Sequence, residues 1–209
     1  ELTMASPPKT TPSDTAKPAS LTAGSTSRQV NRLTGVQILA TGGAAPARVI
    51  HNEELGELGY DADWIVQRTG IKSRHWASPD EATSDIAAEA STRCLEAAGV
   101  DVLDVDLILV STITPDQPTP STACHVQRIL GSDAPAMDIG AACAGFMYAM
   151  VTGMQFIRTG TYKHVLVIGA ELMSRTVNPE DKKTFPLFGD GAGAVLLPQK
   201  NIPTLLAAC

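Results

Sequence analysis

Among the residues able to do chemistry, Cys143 has the most informative surroundings. It lies in MDIGAACAGFMYAM, residues 137–150, where a short apolar stretch runs through Ala141, Ala142, Cys143, Ala144 and Gly145 into a long apolar helical pattern. Small residues on both sides of a thiol at a strand-to-helix turn let the backbone bend sharply and leave room for a substrate to reach the sulfur. The unpaired amides and the dipole of a helix start favour the thiolate, the nucleophilic form, and the same amides can stabilise an oxyanion made from a thioester carbonyl. Local pattern alone leaves a packed core thiol as the competing reading. Cys94, Cys124 and Cys209 form no CxxC pair and no framework spacing with it, so reduced thiols of a cytosolic protein are expected. Cys94 and Cys124 fall in helical segments and read as small buried hydrophobes. The glycines of GDGAGA, residues 189–194, fit neither GxGxxG nor GKS/T, so they imply no phosphate cradle and no cofactor.

The elements that must position Cys143 alternate along the chain. VQILATG at 36–42 reads as a buried strand, Asn52 to Leu58 as a helix, and Thr83 to Ala98 as an amphipathic helix stopped by Gly99. VDLILVST at 105–112 is a continuous apolar run suited to a strand covered on both faces, followed by a loop punctuated by Pro115, Pro118 and Pro120. Ser121 to Leu130 reads as a helix, PAMDIG as a short strand, and Ala144 to Ile157 as a long helix ended by Gly160. HVLVIGAE is a further buried strand, and FGDGAGAVLL a glycine-rich turn entering another. Such alternation implies an α/β fold, with a mainly parallel sheet, right-handed crossovers and helices on both faces.

Composition limits the alternatives. Hydrophobic residues make up 44% and charged residues 18%, as in a compact globular enzyme, and with aromatics at 4% the core must rest on Ala, Val, Leu and Ile. A net charge of −6 gives no footprint for nucleic acid or an anionic membrane. No apolar run approaches the roughly 18–20 residues that cross a bilayer. Residues 1–33, rich in Ser, Thr, Pro and Ala, read as a disordered tail, with an organelle transit peptide as the minor alternative, and 34–209 as the folded domain.

Five separated segments together resemble the ketosynthase III family of the thiolase-like superfamily, the 3-oxoacyl-[acyl-carrier-protein] synthases III. They are DWIVQRTGIKSRH at 63–75, PSTACHVQRILG at 120–131, DIGAACAGF at 138–146, VIGAELMSRT at 167–176 and LFGDGAGAVLL at 187–197, in family order and at family-like spacing. The resemblance implies a thiolase-like fold of which these residues are the first of two pseudo-duplicated halves. It places Cys143 at the acyl-accepting cysteine, and Trp64, Arg68 and Lys182 at contacts to the nucleotide part of coenzyme A. An indole face suits adenine and a guanidinium suits phosphate. Structural or solvated roles for Trp64, Lys182 and Lys183 remain the plainer alternatives.

Thr119 matches a position that lines the partner's acyl pocket across a dimer interface, where a small side chain would leave the pocket deep. Phe146 and Phe188 could border the site or simply be core, and GDGAGA would be a tight turn beside it. The family completes the site with a His and an Asn from its second half. His51, His75, His125 and His164 match non-catalytic positions, and the chain stops at Cys209, so these residues are expected to be the first half of a longer, cytoplasmic, homodimeric enzyme. That enzyme would condense acetyl-CoA or another acyl-CoA with malonyl-[acyl-carrier-protein] and needs no cofactor. Rival expectations are another thiolase-like condensing enzyme, for a polyketide starter or a long acyl chain, and a non-catalytic dimerising scaffold.

Overall fold

The computed structural model describes residues 36–199; the expected tail over 1–33 and Cys209 lie outside them. In chain order the elements are β1 (Ala40–Ala44), β2 (Arg48–His51), a 3-10 turn (Asn52–Leu58), α1 (Ala62–Thr69), β3 (Ser73–Trp76) and α2 (Thr83–Ala98). There follow β4 (Leu107–Ser111), α3 (Thr122–Leu130), β5 (Ala136–Ile139), α4 (Gly145–Arg158), β6 (His164–Leu172) and β7 (Asp190–Pro198). The main sheet has five strands in the order β1-β7-β6-β4-β5. β4 is parallel to β5 and to β6, and β7 is antiparallel to both β6 and β1. Four of the five strands therefore point one way and β7 alone is reversed, as the alternating pattern predicts for a mainly parallel sheet.

Alternate residues of the central strands feed two cores. Ile108, Val110, Leu166 and Ile168 pack under α2 and α3 with Ala87, Ala90, Cys94 and Val126, while Leu107, Leu109, Val165 and Val167 pack under α4 with Ala149 and Ile157. Covering on both faces explains why β4 is apolar throughout and buried at every position. α2 starts where the Asp85 carboxylate accepts the Ala82 amide at 2.8 Å and Asp116 accepts the Ser84 amide at 2.9 Å, so acidic side chains cap it rather than its own Thr83 and Ser84. It ends at Gly99 with φ 63°, the left-handed stop that a glycine provides.

Four elements differ from expectation. The first strand begins at Ala40 rather than Val36, and Ile38 and Leu39 are 49% and 43% exposed. It is the sheet's edge, so apolar character there does not signal burial. Its ladder is carried by Gly42, whose missing side chain lets the α2 backbone approach; a Cβ there would meet Ala90 O and the Cys94 backbone, with Cys94 Cα at 2.9 Å. The helix expected over Asn52–Leu58 is a 3-10 turn that includes Gly56 and is closed by Gly59 at φ 80°. GDGAGA is not a tight turn: β7 begins at Asp190, and Gly193 pairs with Gly43 on one side and Gly169 on the other. A second, two-stranded sheet joins β2 and β3 in register from Arg48 with Trp76 to His51 with Ser73.

Candidate active site

The chain bends at the C-terminal end of β5. Ala141 has φ −149°, ψ 33°, and Ala142 takes φ 45°, in the left-handed region that costs an L-residue about 1–2 kcal/mol. The Ala144 amide then donates to Ala141 O at 3.1 Å, closing a short 3-10 turn over Ala142–Ala144. α4 starts at Gly145. Cys143 sits on the outside of that turn with its thiol exposed, two residues ahead of the helix. The sharpness depends on Gly145, which is buried: a Cβ there would clash with Ser111 Oγ, with Ser111 Cβ at 3.5 Å and Ile139 O at 3.6 Å. The other cysteines contrast with it. Cys94 is fully buried beside Ala40 O, and burial pushes its thiol up, only partly opposed by a hydrogen bond from the Leu196 backbone; Cys124 is half-buried on α3.

Carboxylates organise the same edge of the sheet. Asp138 on β5 accepts the Thr122 and Ala123 amides at 2.8 and 2.7 Å, fixing the start of α3 to the strand that leads to Cys143. Asp190, buried at the start of β7, accepts the Ala77 amide at 2.8 Å, the Ser174 amide at 2.8 Å and the Ser174 hydroxyl at 2.6 Å. A cavity of about 320 Å³ opens beside the ends of β4 and β6, lined by Ile113, Thr114, Asp116, Leu172 and Arg175 among others. Arg175 Nη2 also reaches Ser78 O and Glu81 O at 2.5 and 2.6 Å. A cavity of about 570 Å³ lies instead between the C-terminal ends of α2 and α3, away from the strand ends that carry the thiol turn.

The other expected site residues fall in three groups. Trp64 and Arg68 share the outer face of α1, one turn apart; Trp64 is 43% exposed, while Ile65 beside it is wholly buried against the core of Ile50, Leu55, Tyr60 and Phe185. Lys182 reaches the segment that enters α1, its Nζ donating to Gly59 O at 2.9 Å and lying 6.0 Å from the Tyr60 ring. Thr119 is exposed on the loop from β4 to α3, before a cis Pro120. Phe146 shares the α4 start with Cys143, but its ring turns towards the sheet and lies 3.2 Å from where Gly169 would carry a Cβ; Phe188 is 36% exposed. His51 and His75 both lie in the β2–β3 ribbon, His125 on α3 meets Gln117 of the preceding loop at 3.3 Å, and His164 begins β6, at the end of the strand remote from the thiol turn. Nothing in the sequence singles out Ser111, which strand pairing brings against Gly145, or Glu171, which it brings against the segment leaving β4. Among the described residues no group of three His, Cys, Asp or Glu side chains is placed to hold a metal ion, and no helix is long and apolar enough to cross a membrane.

Comparison with known proteins adds to this geometry. Residues 137–208 match the family model of 3-oxoacyl-[acyl-carrier-protein] synthase III. A beta-ketoacyl-[acyl-carrier-protein] synthase III of Rhodopirellula baltica is 66% identical over 168 residues, 80% of this chain and 49% of that protein. The crystal structure of 3-oxoacyl-[acyl-carrier-protein] synthase III from Aquifex aeolicus superimposes with a TM-score of 0.77 at 42% identity, covering 80% of this chain and 55% of that one. The priming beta-ketosynthase from the R1128 polyketide pathway gives a TM-score of 0.77 at 38% identity, covering 80% and 51%. The chain spans about half the length of the curated relatives it matches.

Proposed function

We propose, from the chain's likeness to 3-oxoacyl-[acyl-carrier-protein] synthases III, that it belongs to that family and carries the acyl-accepting half of a condensing enzyme that initiates fatty-acid synthesis. The observation that carries the reading is the exposed Cys143 on a left-handed turn between Gly140 and the buried Gly145. In the first step the Cys143 thiolate attacks the thioester carbonyl of acetyl-CoA or another short acyl-CoA; the carbon–sulfur bond to coenzyme A breaks and the coenzyme A thiolate leaves. Backbone amides at the start of α4 are the groups on this chain that would face the transient oxyanion.

Malonyl-[acyl-carrier-protein] then loses carbon dioxide, its carbanion attacks the held acyl group, and Cys143 is expelled as thiolate with the 3-oxoacyl product. By the family likeness a His and an Asn from further sequence assist that second step. Trp64 and Arg68 on the open face of α1, with Lys182 close to the start of that helix, are the proposed contacts for the adenine and phosphates of coenzyme A. Thr119 and Phe146 are the proposed acyl-pocket residues. A soluble cytoplasmic homodimer belongs to the same reading. The likeness to a polyketide priming ketosynthase favours a second reading, a starter enzyme taking a longer acyl group.

Intact mass of the full chain after incubation with acetyl-CoA, beside Cys143→Ala, tests the nucleophile. An acetyl adduct on the wild type that vanishes in Cys143→Ala supports the assignment; no adduct with any acyl-CoA refutes it. The acyl-chain profile of adduct formation separates the two readings.

A further inference from the structure

One carboxylate near the end of β6 is not used by the acyl-transfer chemistry. Glu171, half-buried near the end of β6, accepts the Ile113 amide through both oxygens at 3.0 and 3.2 Å, the Thr114 hydroxyl at 2.8 Å and the Thr112 hydroxyl at 3.4 Å. Thr114 Oγ1 in turn accepts the Leu172 amide at 2.9 Å, and the Thr114 amide donates to Thr112 Oγ1 at 3.0 Å. The segment leaving β4 is thus fixed to β6 by a closed network centred on one side chain.

The last residue of β4 and the first residue of the fixed segment lie against the turn that carries Cys143. Ser111 Oγ fills the space next to Gly145, and the Thr112 carbonyl lies 3.9 Å from where Gly140 would carry a Cβ. Gly140 and Gly145 bracket the four residues that hold Cys143, including the left-handed Ala142. A non-glycine residue stays in that region only where its surroundings over-determine it. Ser111, held in β4 by its pairing with β5 and β6, and Thr112, whose hydroxyl Glu171 accepts, lie against the glycines at the two ends of that turn.

We propose that Glu171 is a positioning residue for Cys143, acting through Thr112, Ile113 and Thr114 rather than on the substrate. Its chemistry rests on the ketosynthase reading. Replacing Glu171 by Ala leaves the Ile113 amide and two hydroxyls without their acceptor, so the end of β4 relaxes and the thiol moves relative to a bound thioester. A displacement of about 1 Å costs up to about 100-fold in rate.

The test is single-turnover acylation of the full chain by acetyl-CoA, read by intact mass, for wild type, Glu171→Ala, Glu171→Gln and Thr114→Val. The expected result is a saturated rate lowered at least about tenfold in Glu171→Ala, with the half-saturating acetyl-CoA concentration little changed. Glu171→Gln, which keeps a carbonyl acceptor for the Ile113 amide, recovers most of the loss, and Thr114→Val falls between. A folded Glu171→Ala acylated at the wild-type rate, a loss confined to half-saturation, or a Gln variant as slow as Ala overturns the proposal. If Glu171→Ala does not fold, the Gln and Thr114→Val rates decide: wild-type rates in both overturn it.

A wild-type chain that takes up no acyl group from any acyl-CoA refutes the ketosynthase reading instead. Alkylation of Cys143 by iodoacetamide then decides the role of Glu171 alone: slowing in Glu171→Ala with recovery in Glu171→Gln sustains it, and equal rates in all three overturn it.

Discussion

Substituting Ala142 by Gly tests whether the turn that carries Cys143 stores strain, because the sign of the stability change depends on one dihedral angle. At φ 45° an alanine carries about 1–2 kcal/mol of left-handed penalty that glycine does not. Glycine's extra freedom in the unfolded chain takes back about 0.5–1 kcal/mol. The net expectation is stabilisation by about 0.5–1 kcal/mol, a rise in Tm of about 1–4 °C for a domain of this size. In an ordinary right-handed conformation the same change would instead destabilise by about 0.5–1 kcal/mol. Ala142→Val sharpens the contrast, since a β-branched residue tolerates positive φ worst; it should lose about 2 kcal/mol or more.

Activity should move against stability. Ala142→Gly keeps the turn accessible but no longer confines it, so the rate of Cys143 acylation should fall by roughly 3- to 30-fold, a thiol displaced by a fraction of an ångström being enough. Thermal unfolding of the full chain, with the intact-mass acylation rate measured in parallel, reads both effects. A lower Tm for Ala142→Gly, or an Ala142→Val variant as stable as wild type, would refute the assignment of strain to this position.

Gly145→Ala should destabilise by about 1–3 kcal/mol through overpacking, and Ser111→Ala should restore most of it, since only Ser111 Oγ clashes with the added Cβ while Ser111 Cβ stays at 3.5 Å; additive Tm changes in the double variant would contradict this contact. Trp64→Ala should weaken acyl-CoA binding by about 1–2 kcal/mol, the scale of base–aromatic stacking, raising the half-saturating concentration roughly 5- to 30-fold at an unchanged saturated rate; a loss of rate instead would assign Trp64 to the packing of α1. Burial holds the Cys94 thiol above its usual range and therefore protonated around neutral pH, so at pH 8 iodoacetamide should mark Cys143 in the native chain and reach Cys94 only on unfolding. Peptide mapping of the alkylated protein checks the order.

How much of this was legible depends on which force fixes each part. The α2 helix is readable to the residue because its apolar face, its length and the Gly99 stop are all local. β4 is readable because a strand covered on both faces must be apolar throughout. β1 misleads, since an edge strand whose ladder runs through Gly42 and Gly43 leaves its apolar lead-in half open. The β2–β3 ribbon is invisible because RVIH and SRHW are short, polar in part, and paired across about twenty intervening residues. At the candidate site the small residues around Cys143 announce a sharp turn, but an alanine at φ 45° leaves no trace in sequence, where a glycine would have.

The site's remaining architecture was out of reach because it is a consequence of strand direction. Since β4, β5 and β6 are parallel, Ser111, Ile139 and Leu172 all end at one edge of the sheet, and the reversed β7 brings Asp190 to that edge by pairing it with Leu172. Loops leaving parallel strands there cannot satisfy one another as hairpins do, so their amides need other acceptors. Asp116, Asp138, Glu171 and Asp190 supply them, each accepting a backbone amide from a different segment. A hydrogen bond to a charged acceptor is worth about 1.5–3 kcal/mol, enough in sum to hold irregular chain as firmly as a helix. That rigidity is what a strained turn requires, and the turn so framed leaves Cys143 exposed.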